Sequence, residues 1–283
     1  MDAHEIYQYA RKGTASGRGA SYWELPMVCG RKAALTEKHK DRYASMDRSG
    51  ALAVGSFYHF LLQIWQEGKL DADLIIDTSE IGDPDWSEAV RLFNFYTGQF
   101  RKDSWGEVIG TEVMLPVNDT HRQRIEQFFG IEGDDCPTGQ IDLLVRMNKL
   151  DVLRVEMDYD LDLRGPGLYI IDYKTAAARC NAESAKGMYT ETVQAMTYPT
   201  LWNIAGGEQV QGMIFDVLVK HRNLGDNSIQ AWFAPTCPSH RQIVRAAVRV
   251  ARASKIRARA NPYACYYKGY ECHFLKNAEC SRM

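Results

Sequence analysis

Two strand-like runs near the middle of the chain carry the residues best suited to chemistry. One run holds Asp142, and the other, residues 168–174, ends in Asp172, Tyr173 and Lys174. Because side chains alternate along a strand, Asp172 and Lys174 share one face of the sheet and Tyr173 lies on the opposite face. Two acids and a lysine at the end of a small sheet are residue types that can hold a divalent metal beside a phosphodiester.

Cleavage of a phosphodiester needs a hard cation, an activated water and a compensating positive charge. Asp142, Asp172 and the carbonyl of Tyr173 offer the oxygen ligands that Mg²⁺ and Mn²⁺ prefer. The metal lowers the pKa of a bound water. The ammonium of Lys174 can orient that water or stabilise the charge that develops on the phosphoryl group. The alternative is a plain ion pair between Asp172 and Lys174 at the end of a strand.

The acid-x-lysine spacing alone is weak evidence for such a site. Glu67-Gly68-Lys69 has the same spacing, at the end of a predicted helix with no strand before it. Asp172 and Lys174 differ from that triplet because they end a hydrophobic strand that follows a second acidic strand. The context therefore favours Asp172 and Lys174 as the functional pair.

Four further residues are candidates for the same site. His59 lies at the edge of an apolar helical stripe, where a packed histidine is a common alternative to a metal ligand. Glu112 lies on an earlier strand, and it can either approach the pocket or be an ordinary strand carboxylate. Gln194 and Tyr198 are four residues apart on a predicted helix and share a face. Pro199 predicts a kink that aims Tyr198 into the cleft.

Four short motifs follow one another along the chain. They are Gly55-x-x-x-His59, Gly139-x-x-Asp142, Asp172-x-Lys174 and Gln194-x-x-x-Tyr198. Their order resembles the RecB-type branch of the PD-(D/E)xK nuclease superfamily, over about residues 25–283. The resemblance implies an α/β fold with a restriction-endonuclease-like core, in which helices flank a mixed central sheet.

The same resemblance implies roles for individual residues. His59, Asp142 and Asp172 would bind Mg²⁺ or Mn²⁺, and Lys174 would be catalytic. The Gln194–Tyr198 pair would act at the active site and on DNA.

The cysteines carry a second resemblance. Cys29 lies near the N-terminus, and Cys265, Cys272 and Cys280 lie in the C-terminal tail. This arrangement resembles the iron–sulfur members of the family, which include CRISPR-adaptation exonucleases, AddB-type helicase–nuclease subunits and phage-encoded relatives. It implies a 4Fe-4S cluster on these four thiolates. The spacing of the tail cysteines is wider than the spacing often seen there, and zinc is the chemical alternative, with His273 able to replace one cysteine.

Length and composition set broader limits. A chain of 283 residues can bury a substantial core. No apolar run reaches membrane-spanning length and the N-terminus lacks a secretory pattern, which predicts a cytoplasmic protein, prokaryotic or phage-encoded, without a membrane partner. Seven cysteines in such a protein indicate thiols or metal ligands rather than disulfides.

A basic helix is predicted near the C-terminus. Residues 239–260 contain seven basic side chains and no acidic one. Helical spacing places four of these on one stripe: Arg241, Arg245, Arg249 and Arg252. The residues predicted to face the core are Ile243, Val244, Val248 and Ala251. The stripe is either a surface that binds phosphates or an ordinary solvated helix face.

The remaining elements can be placed coarsely. Strands are predicted at about 107–117, 138–146, 168–174, 210–219 and 228–233, and helices over most of the first 105 residues, at 188–204 and at 239–259. Alternating charges in 155–165 predict an edge hairpin. We divide the chain into a helical part with the first cluster cysteine (1–105), a nuclease core (106–260) and a Cys-containing tail that packs with the N-terminal part (261–283), within one continuous domain.

The sequence thus predicts a Mg²⁺- or Mn²⁺-dependent deoxyribonuclease. It would act as an exonuclease on single-stranded or free-ended DNA, in repair or recombination. A recombination, helicase or CRISPR-adaptation partner is possible on the resemblance. The alternatives are a catalytically inactive DNA-binding or assembly subunit of the same fold, and the same nuclease with structural zinc in place of iron–sulfur.

Overall fold

The computed structural model describes residues 3–12, 50–70, 81–99, 104–133, 136–177, 189–190, 192–221 and 228–257. The helices in these ranges are α1 (Ala3–Lys12), α2 (Ala51–Gln66), α3 (Pro84–Gln99), α4 (Asp119–Phe129), α5 (Lys149–Tyr159), α6 (Val193–Ile204) and α7 (Pro238–Arg257). The strands are β1 (Glu107–Leu115), β2 (Gly139–Met147), β3 (Gly167–Ala177), β4 (Val210–Lys220) and β5 (Ser228–Pro235). Within the described ranges, none of the helices has both the length and the apolar character to cross a bilayer.

The five strands form one mixed sheet in the order β1-β2-β3-β4-β5. Strands β3 and β4 are parallel, and the other neighbours are antiparallel. A parallel pair needs a long crossover connection, and α6 lies between β3 and β4 in the chain and packs on β4. The predicted α/β fold with a mixed sheet flanked by helices is therefore confirmed, and each predicted strand overlaps an observed one.

Each face of the sheet carries its own hydrophobic core. Helices α1, α2, α3 and α5 cover one face, and α4, α6 and α7 cover the other. Along β3, Tyr169, Ile171 and Tyr173 belong to the first core, whereas Leu168 and Ile170 belong to the second. This alternation is the period of two of a strand, and it decides which helices can reach each side chain. The division into residues 1–105, 106–260 and 261–283 stays a prediction.

The predicted edge hairpin at 155–165 is wrong, because helix α5 extends to Tyr159 and the rest of that segment contains no strand. The side chain of Asn148 accepts hydrogen bonds from the N–H groups of Leu150 and Asp151, and the Asp151 carboxylate accepts one from the Asn148 N–H. This reciprocal capping box fixes the start of the helix. The alternating acids near its end give no strand because the helix is already formed upstream.

Helix α4 was not predicted either. Asn118 caps its first turn by accepting a hydrogen bond from the His121 N–H, and Gly130 ends it with a left-handed backbone. These are ordinary start and stop signals. The helix is short and mostly polar, and its hydrophobic pattern is therefore weak.

A carboxyl group is buried among the aromatic rings of the first core. Asp216 lies on β4, only 2% exposed, and accepts a hydrogen bond of 2.5 Å from the Tyr96 hydroxyl. Burial raises the pKa of Asp216 to about 7, although the hydrogen bond from Tyr96 and the nearby Trp105 indole act in the opposite direction. An acid whose folded-state pKa lies above its unfolded value stabilises the fold only while it is protonated.

We expect stability to fall as the pH rises through this range, partly because of Asp216. Between the unfolded pKa of 3.8 and the folded pKa of about 7, the folded state holds a proton that the unfolded state has lost. Stability is therefore lost with increasing pH, by on the order of 2–4 kcal/mol for this group. Urea unfolding of wild type and Asp216→Asn between pH 5 and about 8 measures the effect.

The comparison rests on the slope of stability against pH, since other buried acids contribute to the wild-type slope and the substitution itself can shift stability at every pH. Asp216→Asn should show a smaller loss between the two ends of the range. Equal slopes in the two proteins would show that Asp216 titrates normally.

Candidate active site

The pairing of β2 with β3 places two acids side by side at the end of a ladder. The paired residues run from Met147–Gly167 to Leu143–Ile171. Beyond the last pair, the Asp142 carboxylate accepts a hydrogen bond of 2.9 Å from the backbone N–H of Tyr173. The Asp142 carboxylate thus replaces a backbone carbonyl as the acceptor for the Tyr173 N–H. This hydrogen bond holds Asp142 next to Asp172.

Helix α2 brings His59 to the same acid. Its Nδ1 lies 3.2 Å from Oδ2 of Asp142. Burial lowers the pKa of His59, but the charge of Asp142 and the hydrogen bond to it outweigh burial and raise it overall. Burial alone would raise the pKa of Asp142. The charge of His59 outweighs burial, and the pKa of Asp142 is lowered overall. Each group therefore favours the charged form of the other.

Asp172 and Lys174 contact each other on one face of β3, as the alternation predicted. The Lys174 ammonium pairs with Oδ2 of Asp172, and the Gln194 side-chain amide donates a 2.6 Å hydrogen bond to Oδ1. Burial raises the pKa of Asp172 to about 6, with a further rise from Asp142 and an opposing effect of Lys174. Burial would lower the pKa of Lys174, but both acids raise it, and the lysine is therefore a cation.

Glu112 reaches the site from β1 through an unusual backbone conformation. Its φ is +48°, in the left-handed region that side chains other than glycine rarely adopt. Its carboxylate accepts a hydrogen bond from the Gln140 side-chain amide. Burial raises the pKa of Glu112 to about 7, and the charge of Asp142 acts in the same direction. Glu112 thus joins the electrostatic environment of Asp142, and Gln140 is a contact that the sequence analysis missed.

A polar row on α2 continues away from His59. Gln63 lies one turn further on and donates a 2.9 Å hydrogen bond to Glu67, which also accepts one of 3.0 Å from Thr111 on β1. The four-residue spacing of His59, Gln63 and Glu67 is a signal that could have identified this row. The row joins α2 to the edge strand that carries Glu112.

Tyr198 is buried, and its predicted role in the cleft stays a prediction. It is 7% exposed and packs in the second core. A Cβ placed on Gly139 would lie 3.1 Å from the Tyr198 ring, closer than ordinary van der Waals contact. Pro199 is accommodated inside α6. Glycine at 139 therefore lets α6 pack closely on β2, and Tyr198 supports the site from beneath.

The side chain of Tyr173 lies on the opposite face of the sheet from Asp172, as predicted. Its hydroxyl accepts a hydrogen bond of 3.4 Å from the Gln66 side-chain amide, and its ring lies 6.0 Å from that of Tyr96. Only its backbone can take part in the chemistry at Asp142. The carbonyl of Tyr173 as a metal ligand stays a prediction.

The donor set fits a hard divalent ion. The 3.2 Å between His59 Nδ1 and Asp142 Oδ2 is close to the spacing of about 2.9 Å between neighbouring ligands of an octahedral ion with bonds of 2.0–2.1 Å. Asp172 lies beside them but is turned towards Lys174 and Gln194. Over the described ranges, no three His, Cys, Asp or Glu side chains already converge as a metal-binding group. Asp172 would therefore have to turn towards a shared ion.

The arginine stripe lies on the exposed face of α7. Arg241, Arg245, Arg249 and Arg252 are exposed, and the guanidinium groups of Arg241 and Arg245 lie 5.5 and 5.6 Å from the centre of the Phe128 ring. Val244, Val248 and Ala251 are buried as predicted. The placement of Ile243 in the core is wrong: it is 46% exposed, because the packed face of α7 is narrower than the prediction assumed.

The four predicted cluster cysteines, Cys29, Cys265, Cys272 and Cys280, lie outside the described residues. The cysteines within them are Cys136, which is buried, and Cys237, which is exposed. The 4Fe-4S cluster therefore stays a prediction from the sequence.

Comparison with known proteins adds one finding. A family model described as the PD-(D/E)XK nuclease superfamily matches residues 20–276. No curated protein and no solved structure gives a significant match to the chain. The family match spans the candidate site from His59 to the arginine stripe.

Replacing Asp142 by Asn is expected to lower the pKa of His59. Burial and the charge of Lys174 then act against the weaker effect of Asp172 alone, and the histidine pKa should fall from above to below 6.5. NMR titration of the His59 ring in metal-free protein measures both values, with the resonance assigned from His59→Gln.

Asp119→Asn, on α4, is the matched control because it removes an acid that does not contact His59. It should leave the histidine pKa unchanged. The same His59 pKa in wild type and Asp142→Asn would contradict the ion pair.

Proposed function

Because the chain belongs to the PD-(D/E)XK nuclease superfamily, we propose that it hydrolyses DNA phosphodiester bonds with Mg²⁺ or Mn²⁺, as an exonuclease on single-stranded or free-ended DNA. The observation that carries the proposal is the cluster on β2 and β3, where Asp142 and Asp172 lie beside a charged Lys174. A plain ion pair between Asp172 and Lys174 would not need the second acid, Asp142, or the histidine, His59.

His59, Asp142 and Asp172 would hold the metal, with the carbonyl of Tyr173 as a further ligand. A bound divalent ion supplies a Lewis acid for the phosphate oxygen and lowers the pKa of the attacking water. The chain holds Asp142 in place through the Tyr173 N–H. Fixed ligands of this kind spare the site reorganisation during the reaction.

Lys174 would act as a hydrogen-bond donor rather than as a base, since both acids raise its pKa. In that form it can orient the attacking water and stabilise negative charge on the phosphoryl oxygens. Gln194 would fix the orientation of Asp172 through its amide hydrogen bond. Glu112 would contribute negative charge beside Asp142, and Tyr198 would support α6.

The arginine stripe of α7 would bind backbone phosphates. Its four guanidinium groups are exposed on one helix, and residues 239–257 of that helix include no acid that could neutralise them. Phosphate contacts of this kind release counterions and make binding depend strongly on salt.

A 4Fe-4S cluster on Cys29, Cys265, Cys272 and Cys280 is part of the proposal, with zinc as the competing metal. A cytoplasmic location and a recombination, helicase or CRISPR-adaptation partner belong to it as well, on the sequence resemblance alone. Iron, sulfide and zinc analysis of anaerobically purified protein separates the two metals.

Lys174→Ala is expected to slow cleavage of end-labelled DNA by at least about 100-fold, because it removes the donor aimed at the developing charge. Wild type should degrade linear single strands with Mg²⁺ or Mn²⁺, should be inactive with chelator, and should leave circular single strands intact. Product sizes on denaturing gels and initial rates provide the measurement.

Lys69→Ala is the matched control, since Glu67-Gly68-Lys69 has the same acid-x-lysine spacing outside the cluster. It should cleave at the wild-type rate. Full activity of Lys174→Ala would rule out the assignment of this lysine. Cleavage of circles would rule out a strict exonuclease. Folded wild type that binds DNA without cutting it would favour the non-catalytic subunit.

Replacing both Arg241 and Arg245 by Gln should weaken single-strand binding and make it less salt-dependent. Each lost phosphate contact lowers the slope of log K against log salt by about 0.7, which gives about 1.4 for the pair. Fluorescence anisotropy at several salt concentrations measures that slope.

Arg146 and Arg154 provide the control because they carry the same charge but pair with Glu107, Glu208 and Asp151. Replacing both by Gln should leave the slope unchanged. A slope that falls equally in the two double variants would show a non-specific effect of net charge.

A further inference from the structure

A cavity of about 550 Å³ lies at the end of the sheet where β3 and β4 begin. It is lined by the second half of α6, the start of β4, the residues that join β5 to α7, and Arg164 from the loop before β3. Val210, on its wall, pairs with Leu168, which precedes Asp172 by four residues on β3. At about 3.3 Å per strand residue, the cavity lies roughly 13 Å along the sheet from Asp172.

The cavity carries positive charge that the described residues do not neutralise. Its described lining includes Arg164 and Arg241 and contains no acid. Neither guanidinium forms an ion pair within the described ranges, although Arg164 donates a hydrogen bond of 2.5 Å to the Thr236 carbonyl. Glu208, the acid that comes just before the β4 wall in the chain, pairs with Arg146 instead. The cavity is therefore suited to an anion.

Three uncharged polar side chains on the wall make no hydrogen bond within the described part of the chain: Thr200, Gln211 and His240. Thr200 is only 3% exposed, and Nδ1 of His240 is a buried atom without a partner. Burial, with the charge of Arg164, lowers the pKa of His240, and a neutral ring offers one donor and one acceptor nitrogen. Buried polar groups normally have a hydrogen-bond partner, and these groups therefore point to a polar ligand.

We propose that this cavity binds a nucleotide, whose phosphate contacts Arg164 and Arg241 and whose sugar or base contacts the uncharged side chains. A guanidinium group can form two parallel hydrogen bonds to phosphate oxygens. The volume lies within the range of about 300–1,000 Å³ for pockets that bind small molecules, which leaves room for more than a bare phosphate ion. This binding site is separate from the cleavage chemistry and does not depend on it.

The nucleotide can be free or can belong to a DNA strand. Arg241 is also the first residue of the arginine stripe on α7, and a strand that lay along the stripe would have one phosphate at the cavity. A free nucleotide would occupy the cavity and leave the rest of the stripe open. The recognition chemistry is the same for both sources.

Binding of dAMP is measured by isothermal titration calorimetry, with EDTA present so that no metal occupies the candidate active site. Arg164→Gln should weaken binding by about 10- to 150-fold, the range for one lost hydrogen bond to a charged group. Gln211→Glu should weaken it at least as much, because a similar side chain then repels the phosphate. Gln211 is partly exposed, and urea unfolding checks that both variants fold. Deoxyadenosine, which lacks the phosphate, should bind much more weakly than dAMP.

Two variants provide matched controls. Arg122→Gln removes the same charge from an exposed position on α4, on the same face of the sheet but outside the cavity lining. Gln8→Glu makes the other charge change on α1, which packs on the opposite face. Both should bind dAMP as wild type does. Lys174→Ala should also keep this affinity, which separates the cavity from the candidate active site.

Competition identifies the source of the nucleotide. A fluorescent single strand is bound to wild type in EDTA, and excess dAMP is added. Displacement of the strand from wild type but not from Gln211→Glu would assign the cavity to a nucleotide of the strand. Binding of dAMP without displacement would assign it to a free nucleotide.

Four results would overturn this site. They are no binding of dAMP to wild type, equal losses in Arg122→Gln and Arg164→Gln, inorganic phosphate or deoxyadenosine binding as tightly as dAMP, and loss of binding in Lys174→Ala but not in Gln211→Glu. The last would place the nucleotide in the candidate active site. None of these results concerns turnover: wild type that binds dAMP in the cavity but cuts no DNA would refute the nuclease proposal alone.

Discussion

The structure around the candidate site depends on compensating two acids placed side by side in a buried position. Asp142 and Asp172 lie on neighbouring strands, and neither could stay ionised there without a partner. Each has one cation and one further donor: His59 and the Tyr173 N–H for Asp142, Lys174 and the Gln194 amide for Asp172. These partners come from α2, β3 and α6. The need for compensation therefore brings helices from both faces of the sheet to one point at the end of the β2–β3 ladder.

The acids of the site are not compensated equally, and their pKa values therefore shift in different directions. Asp142 has its pKa lowered, whereas burial raises the pKa of Asp172 to about 6 and that of Glu112 to about 7. Two of the three acids thus hold protons more firmly than ordinary carboxyl groups do. A divalent cation at this point would compete with those protons and would favour the ionised form of all three acids. The cations of the protein therefore compensate these acids only in part.

Much of this arrangement could be predicted from the sequence because it follows from short-range rules. Alternation along a strand placed Asp172 and Lys174 on one face and Tyr173 on the other, and hydrophobic runs located all five strands. The failures have physical reasons. Helix α5 starts from a capping box at Asn148 that outweighs the alternating acids downstream. Glu112 approaches Asp142 with a φ of +48°, a conformation that no residue pattern near it signals.

Gln194 and Tyr198 show that the two members of one motif can lie in different surroundings. The spacing Gln194-x-x-x-Tyr198 does put both side chains on one face of α6, from which the Gln194 amide donates to Asp172. The tyrosine packs where Gly139 has no side chain, and it therefore sets how closely α6 approaches β2. That approach decides whether the Gln194 amide can reach Asp172, one strand further along. Gly139 and Tyr198 thus affect the site by setting the distance between α6 and the sheet. A motif of this kind joins residues that touch the reacting groups to residues that hold them in place, and the sequence marks both in the same way.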